Sequence, residues 1–204
     1  MPSVRLLSID ARGFGRDRVG LAQAIAAADA DVACVHGGPH MLRWRSICAA
    51  IGRRSGLVVA TGGRRGGGNL LLTTLGVDVT AVQDLRFAGG GGLLAPGAAL
   101  AALRLGGVDF VLVGATLVGN AAERVGQARE LQRAIDGLVP GNPPAIVSAE
   151  GSDRPGTAAW QSLVENRVGV AGRIFVDGRL TVDQAAEVGG GTRANPTVQV
   201  ELTL

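Results

Sequence analysis

The run Ala98-Ala-Leu-Ala-Ala-Leu-Arg-Leu105, the pair Gly106-Gly107, and the run Val108-Asp-Phe-Val-Leu-Val-Gly-Ala-Thr-Leu117 together decide the architecture. By intrinsic preference alone the first run favours a helix, since Ala and Leu lose little on entering one. The glycine pair overrules that preference. Two glycines between apolar runs mark a tight hairpin, because both turn positions need positive φ. Ala98–Leu105 and Val108–Leu117 are therefore read as paired strands, and the chain acquires an antiparallel sheet at its centre.

Reading outward in both directions, strands and helices mix without a regular strand–helix alternation. Val4 to Ile9 reads as a strand, and Arg16 to Ala28 as a helix with Val19, Leu21, Ala24, Ile25 and Ala28 near helical spacing. Asp31 to Val35 is a short buried strand ended by Gly37-Gly38-Pro39. Met41 to Gly52 is a second helix, stopped by its glycine. Leu57–Thr61 and Asn69–Thr74 form a strand pair, and the intervening Gly62-Gly-Arg-Arg-Gly-Gly-Gly68 is too flexible for regular structure. Val77 to Phe87 is another strand. Asn120-Ala-Ala-Glu123 is a capping box opening a helix to about Val139. Ala145–Ser148 is a short buried strand, and Thr157–Val164 a small helix carrying Trp160. Arg173–Val176 and Leu180–Val182 flank Asp177-Gly178, a hairpin dipeptide. Thr197–Leu204 alternates Val198, Val200 and Leu202 and closes the fold. This mixture predicts an α/β (α+β) fold: two packed sheets with helices outside, a four-layer sandwich. At 204 residues, 1–204 is one domain with a sizeable core.

Composition narrows the partners. The chain is 47% hydrophobic but only 3% aromatic, with no Tyr, so it offers few stacking platforms for single-stranded nucleic acid. Its 20 basic residues are all Arg, and the net charge is only +3, which does not by itself imply a nucleic-acid partner. The Lys-free, Ala/Gly/Arg-rich usage points to GC-rich coding, as in a GC-rich bacterium. Cys34 and Cys48 read as buried thiols in a reducing compartment. The N-terminal residues are too short and too polar-flanked for a signal peptide. The apolar stretch Leu93–Val118 is broken by Pro96, Arg104 and Asp109, so no bilayer span is expected. A cytoplasmic protein with no membrane partner is the expectation.

Seven short motifs, in order along the chain, resemble the endonuclease/exonuclease/phosphatase superfamily, the DNase I-like four-layer fold. Leu6-Leu-Ser-Ile-Asp10 stands where that family has a strand ending in Trp-Asn. Asp31-Val-Ala-Cys-Val-His-Gly37 resembles Asp-Val-Val-Cys-Leu-Gln-Glu. Gly68-Asn69-Leu-Leu-Leu72 resembles Gly-Asn-Ala-Ile-Leu, and Val113-Gly-Ala-Thr-Leu117 stands where Asn-Thr-His-Leu is expected. Arg124 and Gln127 match an Arg-x-x-Gln helix motif. Ile146-Val-Ser-Ala-Glu-Gly-Ser152 resembles a run ending Gly-Asp-Phe-Asn, and Thr192-Arg-Ala-Asn-Pro196 stands where Ser-Asp-His-x-Pro belongs.

The resemblance implies phosphoester hydrolysis assisted by Mg²⁺ held on carboxylates, with an acid–base pair acting on water and the pentacovalent state. This sequence departs from it at nearly every chemical position. The metal Glu falls on Gly37, the central His on Thr116, the terminal Asp and His on Arg193 and Ala194, and the acid–amide pair on Glu150 and Ser152. Only Asp10 and Glu150 carry carboxylates at these vestigial positions. Each lost acid–base group is worth ~10²–10⁴ in rate. The resulting expectation is a degenerate, binding or structural protein, a pseudoenzyme that needs no cofactor.

Three other readings stay open. Asp10, His36 and Glu150, with His40 nearby, form a rewired divalent-metal site in a hydrolase, or His36 and His40 simply end a strand and begin a helix. Arg64, Arg65 and Asn69 with their glycines cradle a phosphate, or the segment is a solvated, mobile hairpin tip. Arg43, Arg45, Arg53 and Arg54 are a solvated helix surface rather than a nucleic-acid stripe. Charged residues make up only 18% of the chain, which leaves room for an apolar patch and hence for a protein partner or self-association. A nucleic acid or phosphorylated ligand is the less favoured partner.

Overall fold

The Gly106-Gly107 turn joins β6 (Gly97–Leu105) and β7 (Val108–Leu117), which pair antiparallel from Gly97↔Thr116 to Leu105↔Val108. Every β6 residue through Leu103 is buried, so this Ala/Leu run is a central strand. The computed structural model describes residues 2–39, 42–87, 96–151, 167–170, 173–188 and 197–204, without the side chains of 167–170.

Around that hairpin a six-stranded sheet runs β5-β6-β7-β8-β10-β9, with β5 (Asp78–Arg86), β8 (Ala145–Gly151), β9 (Arg167–Val170) and β10 (Ile174–Asp177). The second six-stranded sheet runs β11-β12-β1-β2-β4-β3, from β1 (Ser3–Asp10), β2 (Val32–His36), β3 (Val58–Gly63), β4 (Asn69–Thr73), β11 (Thr181–Val188) and β12 (Thr197–Thr203). Each sheet has one parallel pair, β1 with β2 and β7 with β8, and their strands end at the same rim. Sheets covered on both faces read as continuous apolar runs, as β2 and β4 do.

Three apolar clusters define four layers. Leu6, Cys34, Leu71, Leu103, Phe110 and Leu112 pack between the sheets. Leu7, Leu21, Ile25, Ile51 and Leu72 bind α1 (Arg18–Ala27) and α2 (Trp44–Ser55) to the first sheet. Val111, Val113, Ala128, Leu131 and Ile135 bind α3 (Ala121–Leu138) to the second. Gly114 on β7 belongs to this packing, since a Cβ there would press on Cys34 Sγ, Leu71 and Asn69 across the sheet gap. The predicted α/β/β/α sandwich is therefore the observed one.

Several local expectations are corrected. Asp177-Gly178 does not close a hairpin: β10 pairs with β8 and β9 in one sheet, and β11 pairs with β12 in the other. The turn there is real, with Leu180 N–H donating to Asp177 O, but it carries the chain between sheets. Strand β9 was not anticipated. The Gly62–Gly68 stretch is more regular than its composition suggests. Gly62 and Gly63 belong to β3, Gly66 and Gly68 are buried, and Gly38 N–H donates to Gly68 O at 2.7 Å. α1 begins at Arg18 because the Asp17 side chain caps it through Gly20 N–H. α2 spans Trp44–Ser55, three residues later at each end than the reading Met41–Gly52. The helix expected at 157–164, with Trp160, lies outside the described residues. No helix among the described residues is long and apolar enough to cross a membrane.

Candidate functional site

The two parallel pairs deliver their last residues to one rim. Asp10 stands opposite His36, and Thr116 opposite Glu150. Asp10 and Glu150 are almost fully buried, at 3% and 4% exposure, although both are carboxylates. Burying a charge without a partner is expensive, so something must compensate them.

Arg12 does. Just past β1, Asp10 caps a 3₁₀ turn over Ala11–Phe14 and accepts from Arg12 N–H at 2.9 Å. The same Asp10 oxygen accepts from Arg12 Nε at 2.9 Å, while Arg12 Nη2 donates to Glu150 Oε2 at 2.6 Å. Arg173 Nη1 lies 3.7 Å from the other Glu150 oxygen. One guanidinium thus bridges the first sheet to the second, using charge-assisted hydrogen bonds to both carboxylates. The Asp10 hydrogen bond, followed by the Glu150 and Asp10 charges, raises the Arg12 pKa further above its usual range against the opposing effect of burial.

Gly37 makes this possible. Its φ of +60° suits glycine, and a Cβ there would stand 2.8 Å from Arg12 Cγ. The aliphatic stem of Arg12 therefore occupies the space that a side chain at 37 would take.

Behind the rim runs a buried polar chain. Ser8 Oγ and Ser148 Oγ are 2.8 Å apart, Ser148 Oγ lies 2.8 Å from His36 Nε2, and His36 Nδ1 lies 2.7 Å from Asn69 Oδ1. Thr116 Oγ1 donates to the same Asn69 oxygen at 3.1 Å, and Asn69 Nδ2 donates to Gly66 O and Gly97 O at 2.8 and 3.0 Å. Burial pushes the His36 imidazole toward neutrality, but Cys34, Glu150 and Asn69 outweigh it and raise its pKa to about 9. The His36 ring thus meets Asn69 through Nδ1 and Ser148 through Nε2, with Cys34 Sγ also 3.5 Å from Nε2. Ser148, His36 and Asn69 are spaced like a nucleophilic triad, but Ser148 is fully buried, so its hydroxyl is closed to a substrate. The chain is a polar staple between the sheets, with every member hydrogen-bonded.

The sequence-predicted residues therefore divide. Asp10 and Glu150 come together, but through Arg12. His36 is 2% exposed and turned to Asn69 and Ser148, so the set Asp10, His36 and Glu150 does not converge on one point. Among the described residues no group of three or more His, Cys, Asp or Glu is placed to hold a metal ion. A divalent cation does not fit this rim, because Gly37 has no ligand atom and a guanidinium already stands on the two carboxylates. Asn69, expected to face a phosphate, is fully buried with its amide engaged by Gly66 O and Gly97 O. Arg64 and Arg65 are exposed at the β3–β4 tip. Ser152, Arg193, Ala194 and His40 lie outside the described residues. Sequence reasoning missed Arg12, Arg173 and Ser148. An arginine two residues past Asp10, with a glycine at 37, was the available signal.

No family model matches the sequence, and neither does any curated protein sequence. Solved structures do match. A mannosyl-6-phosphatase from Bacteroides thetaiotaomicron superposes with a TM-score of 0.80 at 15% identity, covering 98% of this chain and 100% of that one. An endonuclease/exonuclease/phosphatase from Bacteroides vulgatus gives 0.77 at 15% identity, covering all of both chains. The catalytic domain of human Nocturnin with bound sulfate gives 0.77 at 14% identity, covering 99% of this chain and 93% of that one. The chain thus has the DNase I-like fold of the endonuclease/exonuclease/phosphatase proteins.

Proposed function

We propose that this chain is a catalytically inert form of the endonuclease/exonuclease/phosphatase fold, retained for binding or structural support. One observation carries the reading. The Arg12 guanidinium holds Asp10 at 2.9 Å and Glu150 at 2.6 Å, in space opened by Gly37. It supplies positive charge between the two carboxylates without the open coordination positions that hydrolysis requires of a metal. The chain needs no divalent ion, and the rewired hydrolase centred on Asp10, His36 and Glu150 is disfavoured by the inward turn of His36. Two free, buried cysteines support a reducing, cytoplasmic setting.

The test is hydrolysis of p-nitrophenyl phosphate, bis(p-nitrophenyl) phosphate and abasic DNA by the purified protein with Mg²⁺ or Mn²⁺. No product above that of Glu150→Ala is expected, and calorimetry at neutral pH should register no metal binding. Metal-dependent turnover that disappears in Glu150→Ala would overturn the reading.

A further inference from the structure

The first helix layer leaves a groove that the core does not use. Two cavities of about 220 and 470 Å³ lie between α1 and α2, and both are lined by Arg18, Leu42, Ile47 and Ile51. The smaller reaches the rim at Arg12 and Gly37, and the larger runs along α2 past Arg43 and Arg54. Its floor is apolar, and Leu42 at one edge is 88% exposed.

The charges at the mouth are of one sign. The guanidiniums of Arg18, Arg43 and Arg54 are exposed and make no hydrogen bond or ion pair among the described residues. Asp17, the one carboxylate among the described residues lining the groove, is occupied in capping α1 through Gly20 N–H at 2.8 Å. Arg43 and Arg54 are separated by about three helical turns, so they share a stripe of α2 and stand about 16 Å apart. Ile47, Ala50 and Ile51 fall between them on the same face. The pattern is an apolar strip with an unpaired cation at each end and a third, Arg18, on the facing helix.

We propose that this groove docks an amphipathic helix of a protein partner whose apolar stripe is flanked by carboxylates about three turns apart. Charge complementarity selects this occupant. A single-headed anionic amphiphile would satisfy one end of the strip and leave the other unpaired. A nucleic acid would place its phosphates over Ile47 and Leu42 as well as over the arginines. A short helix presenting anchors at i, i+3 and i+4 with carboxylates at i−4 and i+7 matches both the strip and its termini. This surface gives the binding role proposed above a location and a partner chemistry. It is assayed separately, since docking and hydrolysis can each fail without the other.

The probe is a fluorescein-labelled synthetic helix with leucines at i, i+3 and i+4 and glutamates at i−4 and i+7, about three turns apart on the same face, measured by anisotropy against the full chain. Saturable binding that weakens with added salt is expected. The variant carrying Arg18→Glu and Arg54→Glu should bind at least about tenfold more weakly with its melting temperature unchanged. On the unaltered protein, a peptide with lysine for each glutamate should lose binding to the same extent, which keeps the test decisive even if the variant folds poorly. Amide chemical-shift changes should fall on α1 and α2. Absent binding, equal binding of the lysine peptide, shifts located elsewhere, or tighter binding of a single-stranded oligonucleotide at the same residues would each overturn the proposal.

Discussion

The two helix layers do the same job by different means. On the second sheet one helix among the described residues, α3, is fully specified. It opens with a reciprocal capping box between Asn120 and Glu123. Its Gln127 side chain receives Val118 N–H and donates to Val118 O, both at 3.0 Å. Arg124 donates to Gly119 O, and Ala128 and Leu131 are completely buried. On the first sheet two shorter helices share the cover. α2 starts at Arg43 in a left-handed conformation with no side-chain cap, and Leu42 beside it faces solvent. The lesson is that α3 spends its surface on the core, whereas the α1–α2 layer keeps a face in reserve. A face left with unpaired cations and exposed leucine is the one to examine for a partner.

The sharpest way to break this contrast is to cut into both layers. Leu131→Ala in α3 should cost about 2–5 kcal/mol in urea denaturation, because a fully enclosed side chain is removed. Ile47→Ala, in the half-buried wall of the groove, should cost less than about 1 kcal/mol. Equal costs would mean that the groove is core after all. At the seam where the layers meet, Arg12→Ala should destabilise by about 1–3 kcal/mol, since it strands two buried carboxylates. The value is held below that of a fully enclosed ion pair because the Arg12 side chain is 56% exposed. A neutral result would remove the clamp from the account. The finest comparison is between the helix starts. Asn120→Ala should cost about 1 kcal/mol, whereas Arg43→Asn should gain a few tenths, since Asn suits both a cap and a left-handed backbone. Thermal melts of the two variants should move in opposite directions.

Much of this frame was legible before any coordinates. Gly106-Gly107 announced a hairpin because turn geometry is local, and the Asn120–Glu123 box announced α3 for the same reason. Asp177-Gly178 misled because a turn dipeptide fixes the direction change but not the strand's partner. The strands it joins each took another partner instead, β10 between β8 and β9 and β11 beside β12. The rim was half legible. That Gly37 and Thr116 depart from the motif positions could be read from the sequence, but what stands on the two carboxylates could not. Arg12 acts on Glu150 across 138 residues of sequence, and only the closed sandwich brings the two together. Asn69 looked like a surface contact because its glycine neighbours resemble a loop, whereas those glycines let the loop pack down and enclose it.

The fit of Arg12 against Gly37 also sets a direction on sequence change. Placing a glutamate at 37 while Arg12 remains would force a left-handed, non-glycine residue into the arginine stem, 2.8 Å from its Cγ. Trimming Arg12 first would leave Asp10 and Glu150 uncompensated in the interior. Each single step toward a cation-binding rim is thus a loss. Position 37 and Arg12 therefore constrain one another, and neither can change alone without cost.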